Sequence, residues 1–301
     1  MAKKAIKLAS ALIVSLTFLV FIIVAEIMAI PAVSSIAGIF VGVLLPFVYR
    51  FYQDCTDDLP WKSELRNYSR ANILKKSDQI RVSFAYLFRV KIGNKYFLVK
   101  NGRGTQKYQP IGGAYKFHNT EREFLTNHFC IADDNFIPID EYSKDDYRLL
   151  VPVKQFKKFV TRFDKTPYRE NYSDVSREFK EEVVNKGLLK YSHIKYRFCG
   201  RHYSRLEMSR HFGCYELLLA DVFEVILSDK QEDALRVLLT QKSDDYIFAS
   251  AEEILTCGIK PGTNMLVENI ADHTRKILQQ NEQDLIEVTG SKKVYSVSWG
   301  V

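Results

Sequence analysis

Two long apolar runs near the N-terminus constrain the fold of this chain more than any other feature. The runs cover residues 8–30 and 32–49, and Glu26 is the only Asp, Glu, Lys, Arg or His within them. A helix of about 20 apolar residues crosses the hydrocarbon core of a bilayer. A cleaved signal peptide has a shorter apolar stretch and no second run directly behind it. The pattern therefore predicts a two-helix transmembrane hairpin over residues 1–52.

Positive charge flanks the outer ends of the two runs. Lys3, Lys4 and Lys7 precede the first run and Arg50 follows the second, whereas the connection between the runs has no Lys or Arg. Cytoplasmic loops carry an excess of Lys and Arg. We therefore expect a multi-pass protein with both termini in the cytoplasm.

Small residues form a stripe along the second run. Ser34, Gly38 and Gly42 recur at a spacing of four residues. Such a stripe lets helix backbones approach closely in a membrane. It predicts membrane association through this face, either between the two helices of one hairpin or between separate chains.

The rest of the chain has the composition of a globular protein. Residues 51–301 contain 39 Lys and Arg against 35 Asp and Glu, which is a mild positive excess. A DNA-binding protein presents a much denser basic field, so we expect no DNA partner. The five cysteines are an odd number and none are spaced as CxxC, which disfavours a disulfide framework and indicates a reducing compartment.

The order of strand-like and helix-like segments predicts one α/β domain behind a linker. The boundaries that we assign are a linker at 53–79, the domain at 80–281 with a long irregular insertion at 114–172, and a C-terminal tail at 282–301. The predicted strands are 80–90, 95–101, 194–203 and 214–227. The predicted helices are 153–163, 174–186, 229–241, 250–258 and 265–280.

An acidic cluster lies on the predicted helix 174–186. Glu178, Glu181 and Glu182 have the spacing i, i+3 and i+4, which places three carboxylates on one helix face. Carboxylate oxygens at close range are the ligands that Mg²⁺ and Mn²⁺ prefer. The cluster predicts a metal site that Arg177 braces, or else a solvated acidic face.

A second candidate segment mixes basic and aromatic side chains. It contains Arg201, Tyr203, Arg205 and Arg210. Side chains of these types suit phosphates and stacked bases. The segment therefore predicts ligand contacts, or the solvated rim of a hairpin.

The sequence REFKEEV at 177–183 resembles the helical half of the Nudix box. Upstream, Gly112 and Gly113 follow a strand in the manner of the turn that opens this box, and the resemblance extends over about 80–280. It implies a Nudix-like α/β/α sandwich with a mixed sheet, interrupted by the insertion. It also implies a ligand site at the two glycines, Mg or Mn at the three glutamates, and catalytic roles for Glu181 and Glu182 if the chain is an enzyme.

The box departs from the family pattern in its loop half. More than sixty residues separate Gly113 from Arg177, and Arg169 stands where the pattern has its first glutamate, with Glu170 one place further on. Val184 replaces the glycine that follows the glutamates. A rebuilt loop favours ligand binding over turnover.

Two transmembrane helices ahead of a Nudix-like domain resemble the effectors associated with CD-NTases in CBASS, the cyclic-oligonucleotide antiphage systems of bacteria. The resemblance implies an inner-membrane receptor that binds a cyclic oligonucleotide, forms homo-oligomers on activation, disrupts the lipid bilayer and causes abortive infection. Two alternatives stay open: a membrane-anchored Nudix hydrolase of a nucleoside diphosphate derivative, and a scaffold that binds a protein partner.

Overall fold

The fold consists of two compact units, Met1–Ile73 and Leu74–Val301. It is given by a computed structural model, which describes residues 2–56, 59–102, 105–141, 143–259, 262–286 and 293–299.

The first unit is helical. Its helices are α1 (Ala2–Ile27), α2 (Pro31–Thr56) and α3 (Pro60–Arg70). The segments Ala5–Ile27 and Pro31–Thr56 are each long and apolar enough to cross a membrane. The two expected apolar helices are therefore present, and α3 lies in the segment that we assigned to the linker.

Two residues of the small-residue stripe, Gly38 and Gly42, lie away from the contact between α1 and α2, whereas the Ser34 hydroxyl donates to Glu26 Oε1 of α1 at 2.5 Å. Phe18 and Phe40 stack at 5.0 Å between ring centroids, and Ala37 is buried. Gly38 and Gly42 instead face open space, because a Cβ built on either would meet no described atom within 4 Å. Ser34 thus takes part in a contact within one hairpin, and Gly38 and Gly42 are the part of the stripe that is open to contacts between chains.

The second unit contains two β-sheets. In chain order its strands are β1 (Gln79–Arg89), β2 (Lys91–Ile92), β3 (Lys95–Lys100), β4 (Tyr108–Gln109), β5 (Gly112–Ala114), β6 (Ala132–Asp133), β7 (Arg148–Pro152), β8 (His193–Tyr203), β9 (Glu207–Met208), β10 (Tyr215–Ile226), β11 (Tyr246–Ser250) and β12 (Val294–Ser298). Its α-helices are α4 (Asn119–Phe129), α5 (Phe156–Lys165), α6 (Ser176–Phe179), α7 (Asp229–Leu239) and α8 (Ala251–Leu255). All four predicted strands are present, as β1, β3, β8 and β10.

The larger sheet is mixed, as the Nudix resemblance implies. Its strand order is β12-β8-β10-β1-β7-β6, with β5 also paired to β1 and β9 to β10. β1 runs parallel to β10, and the other pairs are antiparallel. The smaller sheet has the order β11-β3-β2, with β4 paired to β3. β1 is buried along most of its length, so it forms the centre of the fold.

The insertion is more regular than the sequence suggests. It contributes α4, α5 and the strands β6 and β7, and β7 pairs with the first half of β1. β5 pairs with the second half of the same edge of β1, from Ala85 to Leu87. Residues of the predicted C-terminal tail supply β12, which pairs with β8.

The helix predicted at 265–280 is wrong. Ile270 forms a bridge with Tyr108 of β4, and the N–H of Ala271 donates to the Tyr108 carbonyl, so the chain is extended there. Two 3₁₀ segments, Asp272–Ile277 and Gln279–Asp284, follow instead of an α-helix. A helical pattern of apolar residues does not reveal this competing strand contact.

The helix predicted at 174–186 is present in part. It consists of α6 and a π-helical turn at Lys180–Val184, in which the N–H of Asn185 donates to the Lys180 carbonyl. π-helical turns are rare and occur often at functional sites. We call α6 with this turn the box helix.

Candidate functional site

A cavity of about 610 Å³ lies where the box helix faces β1 and β5. This volume is within the range of small-molecule sites. Both halves of the predicted site, the glycine pair and the three glutamates, line it together. The charged side chains that line it are Arg81, Lys116, Asp146, Arg148, Arg177, Glu178, Glu181, Glu182, Lys186 and Lys276.

Arg177 organises two of the three glutamates. Its Nη1 lies 2.8 Å from Glu178 Oε1 and 3.2 Å from Glu181 Oε2. Its Nε lies 2.8 Å from Glu170 Oε1. A guanidinium presents several donors in a fixed plane, which is why one arginine can pair with several carboxylates.

Glu170 is a residue of this site that our sequence prediction did not include. Its Oε2 accepts the backbone N–H of Lys116 at 2.9 Å, and its own N–H donates to the Lys116 carbonyl at 2.8 Å. These bonds hold the end of the insertion beside the box helix. The sequence did contain a signal for Glu170, because it lies one position from the first glutamate of the Nudix pattern.

Gly113 allows the box helix to approach β5, and Gly112 allows β5 to approach β1. A Cβ on Gly113 would lie 2.2 Å from Glu178 Oε1, and a Cβ on Gly112 would lie 2.2 Å from the carbonyl oxygen of Tyr86. The N–H of Gly112 donates to Glu182 Oε2 at 3.2 Å. The glycine pair therefore seats Glu178 and Glu182 at one end of the cavity.

Glu178 and Glu182 hold their protons more tightly than an ordinary carboxyl group. Desolvation, followed by the negative charge of Glu178, raises the pKa of Glu182 to about 8, although the Gly112 N–H opposes this. Desolvation also raises the pKa of Glu178, against the favourable charge of Arg177. At neutral pH Glu182 is thus mainly protonated and able to donate a hydrogen bond.

The carboxylates do not fit the expected metal site in this arrangement. Glu178 and Glu181 are both engaged by Arg177, and Glu182 is engaged by the Gly112 N–H. A cation between Glu178 and Glu181 would have to displace the guanidinium. Within the described ranges, no group of three His, Cys, Asp or Glu side chains is arranged to hold a metal ion.

The insertion supplies a basic wall to the cavity. Lys116 Nζ lies 3.2 Å from Asp146 Oδ1, and Arg148 Nε donates to Asp146 Oδ2 at 3.0 Å. One carboxylate thus orients two cations. Arg81 adds a third cation, held by Asp134 and Glu216 at 2.8 and 3.0 Å.

Lys186 and Lys276 add positive charge from two other elements. Lys186 follows the box helix, and Lys276 lies in the 3₁₀ segment that replaces the predicted C-terminal helix. Desolvation lowers the pKa of Lys276, with Asp272 and Glu216 opposing that shift. An anion beside this ammonium group would stabilise its charged form.

Arg201 lies in the core and not at the surface where we expected it. Its guanidinium is 1% exposed, and its Nε and Nη2 lie 2.6 and 2.9 Å from the carboxylate oxygens of the buried Asp221. Asp164 completes the pairing. Arg201 is therefore occupied by structural partners and does not line the cavity.

The other residues of the basic and aromatic segment do not line the cavity either. The Tyr203 hydroxyl lies 3.3 Å from Arg201 Nη1, so its ring faces the same interior cluster. Arg205 and Arg210 are exposed. Contacts of these two residues with a ligand stay a prediction.

The sequence analysis missed Lys116, Arg148, Lys186 and Lys276 as residues of this site. They come from β7 and from loops and turns far apart in sequence, so no local spacing connects them. Only the pairing of β7 and β5 with β1 brings Lys116 and Arg148 to the cavity.

Two comparisons with known proteins gave a match, one to a solved structure and one to a family. One solved structure that the chain resembles is a bifunctional NMN adenylyltransferase/ADP ribose pyrophosphatase from Francisella tularensis, complexed with AMP and a Mn ion. The match has 10% identity and a TM-score of 0.24, covers 81% of this chain, and spans about half (53%) of the other. No curated protein matches the chain. Residues 79–278 match the family described as the SMODS-associated NUDIX domain, and the chain therefore belongs to this family.

Proposed function

We propose that this protein is the effector of a bacterial cyclic-oligonucleotide antiphage system, in which the Nudix-like domain binds the second messenger. Membership of the SMODS-associated family supports a role beside a CD-NTase. The observation that carries the proposal is the cavity, which six Lys or Arg and four Asp or Glu side chains line. A net positive cavity of this volume suits an anionic ligand such as a cyclic oligonucleotide.

The state of the glutamates supports binding over hydrolysis. Arg177 occupies Glu178 and Glu181, and Glu182 is mainly protonated at neutral pH. A protonated carboxyl and a guanidinium are both hydrogen-bond donors, so the acidic end of the cavity also tolerates an anion.

The membrane half of the proposal rests on the first unit. Its two apolar helices would cross the inner membrane, with both termini in the cytoplasm. The stripe at Gly38 and Gly42 is open in the single chain, so helices of neighbouring chains could pack there once the ligand brings the chains together. Assembly of these hairpins would disrupt the bilayer and cause abortive infection.

Binding is tested by titrating the full chain in detergent with a panel of cyclic di- and trinucleotides, followed by calorimetry. Loss of one charge-assisted phosphate contact costs about 1.5–3 kcal/mol, so Arg148→Ala should weaken binding roughly ten- to a hundredfold. The matched control is Arg236→Ala, which removes an arginine from an exposed ion pair on α7. Absence of binding by the unaltered chain contradicts the receptor proposal.

Membrane disruption is tested by dye leakage in cells that express the chain together with a cyclic-nucleotide synthase. Replacing both Gly38 and Gly42 with Leu should block leakage without reducing ligand affinity. The control is Val43→Leu, which introduces the same residue at another exposed position of α2. Leakage that is unaffected by the two leucines contradicts assembly through the stripe.

A second candidate function is hydrolysis of a nucleoside diphosphate derivative. The observation that favours it is that Glu178, Glu181 and Glu182 line one cavity with the glycine pair, the arrangement that the Nudix resemblance implies for an enzyme. Chromatography of the ligand after incubation with the chain and Mg²⁺ or Mn²⁺ separates the two functions. Breakdown that stops in Glu182→Gln would establish the hydrolase.

A further inference from the structure

An aromatic and cationic ladder leads outward from the cavity. It consists of Arg81, Phe212 and Phe136. Arg81 lines the cavity, and its Cζ lies 4.4 Å from the centroid of the Phe212 ring. The Phe212 ring in turn lies 5.4 Å from the Phe136 ring, at an interplanar angle of 33°. The exposed end of the ladder is thus only two ring contacts from the cavity wall.

The outer ring of the ladder is accessible. Phe136 is 45% exposed, although a phenyl ring gains most when it is buried. Its neighbour Ile137 lines the cavity. The loop between β6 and β7 therefore presents Ile137 to the cavity and Phe136 to solvent beside it. The N–H of Phe136 donates to Asp134 Oδ1, and Asp134 also holds Arg81, which fixes the loop against the cavity wall.

The charged side chains beside the ladder indicate the chemical class of the ligand that binds there. Lys116 and Arg148 of the same cavity wall share one carboxylate, that of Asp146. A nucleotide combines a phosphate, which suits these cations, with a flat base, which stacks on an aromatic ring. A lipid tail or an apolar peptide side chain would pack on the ring but would not pair with the adjacent cations.

We propose that the insertion is the nucleotide-recognition wall of this domain, in which Phe136 stacks on a base while Lys116 and Arg148 hold the attached phosphate. Phe212 and Arg81 support the stack from behind. This inference rests on the proposed receptor function and adds to it the part of the chain that reads the base. It assigns a role to residues outside the Nudix box.

The test uses the full chain in detergent and two probes, a cyclic dinucleotide and a cyclic trinucleotide in which 2-aminopurine replaces one base. Stacking quenches 2-aminopurine fluorescence, so binding to the unaltered chain should dim at least one probe. Loss of one base stack costs about five- to 150-fold in affinity. We expect Phe136→Ala to lose affinity to this extent and the bound probe to recover its fluorescence. Phe136→Trp should restore both affinity and quenching.

The control is Tyr168→Ala, which removes an aromatic ring of similar exposure (50%) from the same insertion at a position outside the ladder. It should leave affinity and quenching unchanged. If the unaltered chain binds neither probe, both this inference and the receptor proposal are overturned. If it binds a probe and Phe136→Ala binds equally tightly with equal quenching, only the recognition wall is overturned.

Discussion

Glu170 Oε1 lies 2.8 Å from Arg177 Nε, and this pair joins the end of the insertion to the box helix. The other oxygen of Glu170 accepts the Lys116 N–H at the opposite end of the insertion. The two ends are therefore held together by one carboxylate, and the same arginine then orients the glutamates of the cavity.

Removing this arginine should destabilise the domain. Arg177→Ala leaves Glu170 and Glu178 without their charged partner, so we expect the free energy of unfolding to fall by about 1.5–3 kcal/mol. Urea unfolding of the detergent-solubilised chain, followed by near-UV circular dichroism, measures the change. Arg236→Ala breaks an exposed pair and should cost no more than about 1 kcal/mol. Equal effects of the two changes would contradict the bracing role.

The contribution of Glu182 to stability should decrease as the pH rises from about 5 to about 8. Glu182 titrates near its ordinary value of 4.5 when unfolded and near 8 when folded, so the folded chain binds more protons in this range. Glu182→Gln should flatten the pH dependence and stabilise the chain at pH 8, because the glutamine oxygen still accepts the Gly112 N–H. Urea midpoints at several pH values test this. A steeper slope in the variant would contradict the raised pKa of Glu182.

Arg201 shows why part of the site was not predictable from the sequence. Alternation along β8 begins with Ile194, Tyr196 and Phe198 buried, which would place Arg201 on the other face. A β-bulge at Cys199, opposite Val222 and Phe223, reverses the alternation and turns Arg201 inward. By contrast, the glutamates of the box helix were predictable as a group because their spacing is local.

Replacing Arg201 should damage the fold and not only ligand binding. Arg201→Met leaves Asp221 buried without its charged partner, and a broken buried pair costs about 3–5 kcal/mol. Thermal unfolding of the full chain should show a large loss of stability. Arg210→Ala, at an exposed position, should leave the transition unchanged. An Arg201→Met chain that stays stable and loses only ligand affinity would instead support the prediction from sequence that Arg201 contacts the ligand.

The approach of the box helix to β5 should depend on the absence of a side chain at Gly113. In Gly113→Ala the new methyl group overlaps the Glu178 side chain, so Glu178 must move and its pairing with Arg177 weakens. We expect a lower melting temperature and weaker binding of the cyclic nucleotides. Gly102→Ala is the matched control, because this glycine also lines the cavity and its Cβ would meet no described atom within 4 Å. Identical behaviour of the two alanine variants would contradict the close approach.

The division of one edge of β1 between β5 and β7 makes the insertion inseparable from the sheet. Without β7, the residues from Gln79 to Ser83 would lose the strand that pairs with them on this side. A central strand would then become an open edge, which is a template for aggregation. Deleting the segment would expose the sheet and remove cations of the cavity at the same time, so only point substitutions can separate its structural role from its role in binding.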